Sequence, residues 1–324
     1  MRSIFVGSSE FGIPALKLLL EADPPLLVVT QRDKPAGRRL KQKPCPLAEY
    51  AASQGLEVFK PQNINSGESL SKIGKLAPEV IITASYGGML RRKLRQTAVY
   101  EAINLHPSLL PLYRGPTPIQ SSLLNGDHLT GVTIFRLTGR MDAGPILAQE
   151  ELPIEDEDNY SVLHDKLAIL AAEMLAGSLP RLEQGEISAR EQNESLATRT
   201  EKIKSRDLIL DWELPAEQVH NHIRAYSFEP GAYSHLRGKN LKILSAVLTS
   251  QAANGEPGSI GKIIKNQGFT VNCQDLQLLL RQVKPAGKKA MDAWAFQLGA
   301  RLSTKDSFSS AHNIIFEDKS LEES

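Results

Sequence analysis

The sequence predicts an α/β fold, in which a Rossmann-like domain with a mostly parallel sheet is followed by a small antiparallel β-barrel of OB-like type. Up to residue 186, short apolar runs alternate with helix-like segments, which is typical of a parallel sheet covered by helices. A polar stretch without apolar periodicity follows. After it, four short apolar runs separated by glycine turns indicate a small barrel.

In the first domain, buried strands are predicted wherever a short apolar run is bounded by turn residues. The predicted strands are 3–7, 25–30, 79–85, 102–106, 131–138 and 146–154. Helices are predicted at 13–20, 46–53 and 161–179. The last helix places Leu163, Leu167, Leu170 and Met174 on one face, and we expect Pro180 to end or kink it.

The second domain begins with a helix and continues with strands. Pro215 suits the first turn of a helix that runs through Val219 and Ile223. The predicted strands are 241–250, 258–265, 269–273 and 276–283. We therefore divide the chain into a first, α/β domain at 1–186, a linker at 187–206, a barrel at 207–312 and an acidic tail at 313–324.

Composition excludes several classes of protein. The 324 residues are 41% hydrophobic and 23% charged, as in globular proteins. Since no apolar run approaches the roughly 20 residues that cross a bilayer, and no signal peptide precedes the first strand, we expect a cytoplasmic protein without membrane contact. Cys45 and Cys273 stand alone, which argues against a disulfide framework and a thiolate zinc site. We expect no metal and, by default, a monomer.

The formal net charge of +1 conceals an uneven distribution of charge. Residues 199–311 carry 16 basic and 10 acidic side chains, and residues 32–43 contain six cations and one anion. Pro35 and Gly37 favour a loop over a helix in the latter stretch. Such a loop is able to contact phosphates, although a solvated surface loop is the simpler interpretation of a charge run.

The segment INLHPSLLPLYRG at 103–115 contains the most informative polar residues. Asn104 and His106 lie two apart at the end of a predicted strand, so both project from the same face, and Pro107 stops the strand after them. An amide donor beside an imidazole is able to stabilise an oxyanion and to move a proton. A polar strand end with a hydrogen-bonded histidine is the structural alternative.

A second feature supports the catalytic interpretation. A turn at 140–145, RMDAGP, carries Asp142 between two predicted strands, and alone it is an ordinary turn. The pattern N-x-H-x-S-L-L-P followed by D-x-G resembles the folate-dependent formyltransferases. The sequence departs from the family in having Pro107 where glycine is common, and Arg140 before the aspartate, as in some sugar formyltransferases.

The resemblance implies a site and a co-substrate. The family uses 10-formyltetrahydrofolate as formyl donor, and its catalytic residues match Asn104, His106 and Asp142. In this interpretation the Asn104 amide stabilises the oxyanion, His106 stabilises it or relays a proton, and Asp142 orients the imidazole and relays the proton. The residues implied to line the folate site are Ser108, Leu109, Leu110 and Pro111. Gly7 and Gly12 do not form a dinucleotide fingerprint, so we expect no nicotinamide cofactor.

The resemblance covers nearly the whole chain and implies the acceptor. The stretch TQRDKPAGRRLKQKP resembles the basic insertion of the family members that formylate initiator methionyl-tRNA, and KIKSRDLILDW and VKPAGKKAM resemble parts of their linker and second domain. Implied tRNA contacts are Arg32, Lys34, Arg38, Arg39, Lys41, Lys43, Lys202 and Lys204. The alternatives are transfer to an amino-sugar nucleotide, hydrolysis of 10-formyltetrahydrofolate, and a catalytically silent RNA- or folate-binding protein.

Overall fold

The first half of the chain is organised around a sheet in the order β5-β2-β1-β6-β7-β8-β9. The structure is a computed structural model that describes residues 1–36 and 41–317. The first five strands in this order, β5-β2-β1-β6-β7, pair in parallel. Strand β8 pairs antiparallel with β7, and β9 pairs antiparallel with β8. The strands of this half are β1 Ser3–Gly7, β2 Leu27–Val29, β3 Lys34–Ala36, β4 Lys41–Lys43, β5 Val58–Phe59, β6 Val80–Ala84, β7 Glu101–His106, β8 Leu129–Arg136 and β9 Ile146–Pro153.

The central strands are mostly apolar because both faces of the sheet are covered. Every residue of β1 and β6 is buried, as expected for the interior of a parallel sheet. The predicted mostly parallel sheet is therefore confirmed. Strands β3 and β4 form a separate antiparallel hairpin within the basic stretch that we predicted as a loop. The sequence pattern missed this pair of strands because each has only three residues and shows no alternation of apolar and polar residues.

Within the described residues, the four predicted helices lie close to their predicted positions, and five further helices were not predicted. They are α1 Ile13–Ala22, α2 Pro46–Ser53, α3 Gly67–Lys75, α4 Arg92–Arg95, α5 Pro118–Leu124, α6 Tyr160–Glu183, α7 Ala216–Ala225, α8 Ala293–Ala300 and α9 Ala311–Glu317. Proline stands in the first turn of α1 and α2, where its missing N–H costs no hydrogen bond. Helix α6 buries its predicted apolar residues but continues past Pro180, which is tolerated so close to the helix end. None of the described helices is long and apolar enough to span a bilayer.

The second half of the chain forms an antiparallel sheet in the order β10-β11-β14-β13-β12, with β15 paired to β14. Its strands are β10 Tyr233–Leu236, β11 Lys239–Ala252, β12 Ile260–Ile264, β13 Gly268–Asn272, β14 Leu276–Pro285 and β15 Met291–Asp292. Isolated bridges connect Leu236 with Phe308 and Ser259 with Ser307, so one short segment joins the two edges of the sheet. This confirms the predicted small antiparallel β-domain.

Contacts within the described residues separate the chain into two units. The first contains residues 1–118, 129–154 and 164–200, and the second contains 119–128, 155–163 and the chain from 201 onward. Residues 188–200 thus contact the first unit, with bridges from Arg190 to Ile146 and from Arg199 to Arg114. We call residues 188–200 the strap. The boundaries predicted at 186, 206 and 312 stay a proposal.

Candidate active site

Asn104 lies in β7, at the edge where the parallel strands end. Its partner in β6 is Thr83, whose hydroxyl hydrogen is shared between Asn104 Oδ1 at 2.6 Å and the carbonyl oxygen of Ile103 at 3.0 Å. This contact uses the carboxamide oxygen of Asn104. The Nδ2 amide group is thereby left as the donor, and it has no hydrogen-bond partner among the described residues. A half-buried amide held by its oxygen is suited to bind a developing negative charge.

His106, the last residue of β7, is almost completely buried, with 4% exposure. Its Nε2 lies 3.0 Å from the carbonyl oxygen of Tyr113. Since a carbonyl only accepts, Nε2 must carry the hydrogen, and Nδ1 is the nitrogen that gains or loses a proton. The ring also packs edge-to-face against Phe135, with ring centroids 6.3 Å apart. The imidazole is therefore fixed in one orientation and one neutral tautomer.

Asp142 faces the proton-exchanging side of that imidazole. Its Oδ2 lies 3.9 Å from His106 Nδ1 and accepts a hydrogen bond from the backbone N–H of Gly115 at 2.8 Å. The first distance exceeds a hydrogen bond, and it places the carboxylate where it stabilises the imidazole ring in its protonated form. The three predicted catalytic residues therefore meet at the end of β7, where open α/β sheets bind ligands.

A tight loop carries Asp142 between β8 and β9. We call residues 137–145 the Asp142 loop. Asp142 has φ of +50°, in the left-handed region that few non-glycine residues adopt. A Cβ at Gly144 would lie 1.8 Å from the backbone oxygen of Arg136, so glycine is required there. The close approach at Gly144 fixes the path of the loop against the end of β8.

The residues after His106 divide into buried and accessible groups. Ser108 is fully buried, and its hydroxyl donates to the carbonyl of Leu112 at 2.7 Å. Leu110 is 2% exposed and packs against Phe135. Leu109 and Pro111 are half-buried and keep accessible surface. Of the four predicted folate contacts, Leu109 and Pro111 are thus the ones with side-chain surface for a ligand, whereas Ser108 and Leu110 shape the turn.

A cavity of about 350 Å³ lies beside this edge of the sheet. It is lined by segments that follow the ends of β2, β5 and β6, including Arg32, Asn63, Tyr86 and Met89. Burial raises the pKa of Tyr86 above its usual value, so its hydroxyl stays protonated as a donor. Our sequence interpretation did not single out Asn63, Tyr86 or Met89, although their position just after predicted strands was a usable signal.

The strap supplies polar contacts that the sequence did not reveal. The Gln192 Nε2 donates to two carbonyl oxygens of the Asp142 loop, those of Asp142 at 2.9 Å and Gly144 at 2.7 Å. Gln192 Oε1 accepts from Nε and Nη2 of the buried Arg114, at 3.0 and 2.8 Å. Glu194 pairs with Arg114 at 3.0 Å and with Arg140 at 2.6 Å. Hydrogen bonds from Arg114, and then from Arg140, lower the pKa of Glu194 to about 2.

Comparison with known proteins identifies the family. A family model described as formyl transferase matches residues 17–179, and one described as the formyl transferase C-terminal domain matches residues 202–301. The chain belongs to the formyl transferase family. It is accordingly a formyl-transferring enzyme, and both halves of the chain have counterparts in the family.

Curated relatives of this formyl transferase match nearly its full length. A methionyl-tRNA formyltransferase of Bacillus subtilis is 36% identical over 94% of this chain and 96% of the relative. One of Thermotoga neapolitana is 39% identical over 92% of this chain and 95% of the relative. Among solved structures, HypX from Aquifex aeolicus in complex with tetrahydrofolic acid has a TM-score of 0.63 at 16% identity. The match covers 92% of this chain and 47% of HypX, and it shows the shared fold.

The cations predicted to contact tRNA are distributed over both units of the formyl transferase. Arg32 and Lys34 are exposed beside the cavity, and Lys43 is exposed with its Nζ 3.8 Å from a Glu49 carboxylate oxygen. Lys202 and Lys204 are exposed in the second unit. Arg38 and Arg39 lie outside the described residues, as does the side chain of Lys41, whose backbone belongs to β4. The structure thus places five of these eight cations on the surface.

Proposed function

We propose that this formyl transferase acts in the cytoplasm, where it moves the formyl group of 10-formyltetrahydrofolate to the α-amino group of initiator methionyl-tRNA for translation initiation. The observation that carries the chemistry is the arrangement at the end of β7, where the free amide of Asn104 stands beside an imidazole whose Nδ1 faces Asp142. The acceptor is supported by the full-length similarity to methionyl-tRNA formyltransferases.

Accessible apolar and polar groups at this edge fit a folate. Leu109 follows β7 and Met89 follows the neighbouring β6, and both offer apolar surface, Met89 with 47% exposure. Gly131 leaves room for Leu109, because a Cβ there would lie 2.6 Å from Leu109 Cδ2. An aromatic pterin is suited to such apolar side chains, and the Asn104 amide is available for the formyl oxygen.

Asn104, His106 and Asp142 have separate roles in the transfer. A free α-amino group has a pKa near 8, so a substantial neutral fraction attacks the formyl carbon without a strong base. A C–N bond forms to the methionyl nitrogen, and the bond to the folate nitrogen breaks. Asn104 Nδ2 donates to the oxyanion between these events. His106 Nδ1 carries the proton from the attacking amine to the departing nitrogen, while Asp142 stabilises the imidazolium.

We propose that the exposed cations contact tRNA. Phosphate contacts position a nucleic acid and weaken with salt, and the second unit contributes Lys202 and Lys204 to such a surface. Arg140, which resembled the sugar-transferring relatives, is exposed and forms an ion pair with Glu194, a carboxylate that it shares with Arg114.

A competition assay tests the proposal. The enzyme is given 10-formyltetrahydrofolate with charged initiator methionyl-tRNA and an amino-sugar nucleotide in water, and formylated products and free formate are measured. We expect formylated methionyl-tRNA as the main product. Formylated sugar, or formate alone, would contradict the acceptor while keeping the donor assignment.

A further inference from the structure

We propose that Gln192 is a positioning residue for the transfer reaction, and that Arg114 orients its carboxamide for this task. Gln192 holds the Asp142 loop from the strap, 50 residues further along the chain. This inference rests on the proposed role of Asp142 in the proton relay. It adds a residue outside the sequence pattern that identified the catalytic site.

Gln192 contacts the part of the Asp142 loop that has the unusual backbone conformation. Its Nε2 donates to the carbonyl of Asp142 and to that of Gly144, which lies two residues later. Asp142 itself has a φ of +50°, a conformation that persists where surrounding contacts determine it. Hydrogen bonds to carbonyls on both sides of residue 143 therefore fix the peptide units that direct the Asp142 carboxylate at His106.

Arg114 determines which way the Gln192 carboxamide faces. A guanidinium donates but does not accept, so the Gln192 oxygen must face Arg114, and the amide hydrogens must face the loop. Arg114 is 3% exposed, and Glu194 balances its charge through two hydrogen bonds of 3.0 and 3.2 Å. The carboxamide is thus locked in the one orientation that supports the loop.

The backbone of residues 113–115 contacts both His106 and Asp142. Tyr113 accepts from His106 through its carbonyl, and Gly115 donates to Asp142 through its N–H. Arg114 lies between them, and its backbone is tied to the strap by bonds with Thr198 and Thr200. Through its side chain, Arg114 reaches Gln192 and the Asp142 loop. The strap therefore determines the position of the histidine and of the aspartate together.

An isosteric substitution tests this role. Gln192→Glu keeps the size and the contact with Arg114, but it replaces the N–H donor with an oxygen that repels the two loop carbonyls. A displacement of about 1 Å at a catalytic group costs up to about 100-fold in rate. We expect kcat to fall 10- to 100-fold, with the KM for 10-formyltetrahydrofolate changed less than about threefold. The control is Asn193→Ala, because Asn193 contacts Ser195 and not the loop, and kcat should stay at the parent value.

A double-mutant cycle separates positioning from general stability. If Gln192 acts through Asp142, Gln192→Glu should slow the parent enzyme but have little further effect on Asp142→Asn. Equal fold-losses in both backgrounds, or an unchanged kcat in the parent background, would overturn the proposal. If Gln192→Glu does not fold, Arg114→Lys carries the same cycle, since it loses the two-bond contact but keeps the charge.

The same measurements show whether the proposed function or the role of Gln192 is wrong. A parent enzyme that formylates no methionyl-tRNA contradicts the proposed function, whereas an Asp142→Asn variant with full activity contradicts the relay role of Asp142 and this inference with it. An active parent with a slow Asp142→Asn variant and a fast Gln192→Glu variant contradicts this inference alone. Thermal unfolding and tetrahydrofolate binding of each variant establish that the comparisons are between folded proteins.

Discussion

Gly144 provides a sharp test of how closely the activity depends on the Asp142 loop. A Cβ there would lie 1.8 Å from the Arg136 backbone oxygen, whereas Cβ contacts in proteins are essentially never below 3.0 Å. Gly144→Ala must therefore move the loop backbone by at least about 1.2 Å relative to β8. Because a misplacement of about 1 Å costs up to about 100-fold in rate, we expect kcat for formyl transfer to fall about 100-fold.

Gly139 supplies the matched control within the same loop. A Cβ at Gly139 meets no heavy atom within 4 Å, so Gly139→Ala should leave kcat within about twofold of the parent value. The assay measures the initial rate of formyl-methionyl-tRNA formation at saturating concentrations of both substrates, with thermal unfolding measured in parallel. Full activity in Gly144→Ala, or equal losses in both variants, would refute the reasoning.

Three further predictions concern other parts of the molecule. Thr83→Val removes the hydroxyl that holds Asn104, and we expect kcat to fall about tenfold with unchanged folate KM, measured by steady-state kinetics. Burial lowers the pKa of His222 to about 4, and its buried Nε2 has no hydrogen-bond partner in the described part of the chain. Below pH 6.5 the unfolded state therefore binds more protons than the folded state. The free energy of unfolding, measured with urea, should be about 2 kcal/mol lower at pH 5 than at pH 8, and His222→Gln should reduce this pH dependence. Replacing Arg32 and Lys34 by alanine should raise the KM for tRNA and reduce its salt dependence; an unchanged slope would exclude them from the tRNA surface.

The sequence revealed those parts of the fold that have a regular apolar pattern. Strands β1 and β6 are rich in apolar residues because they are buried on both faces, and helix α2 begins at a proline and covers the predicted residues. The site residues of β7 were predictable because alternation in a strand places Asn104 and His106 on one face. Strand β10 was missed because Tyr233 to Leu236 is a short, half-polar edge strand, and its hairpin turn uses Arg237 and Gly238, both with positive φ.

The strap was not predictable, for a physical reason. It is bound by single backbone bridges and by side-chain hydrogen bonds, and neither kind of contact produces a periodic pattern of apolar residues in the sequence. Gln192 and Glu194 look like ordinary surface residues in a polar stretch, and their partners Arg114 and Arg140 are distant along the chain. Interactions of this kind depend on the three-dimensional path of the chain, so the structure was needed to show them.

The most direct measurement is the single-turnover rate of formyl transfer from 10-formyltetrahydrofolate to initiator methionyl-tRNA, compared between the parent enzyme and Asn104→Ala with both substrates saturating. Loss of one oxyanion donor typically costs about 100- to 1000-fold, so the variant should be slower by that factor while binding tetrahydrofolate as tightly as the parent. An unchanged rate in Asn104→Ala, or a parent enzyme that leaves methionyl-tRNA unformylated, would contradict the account.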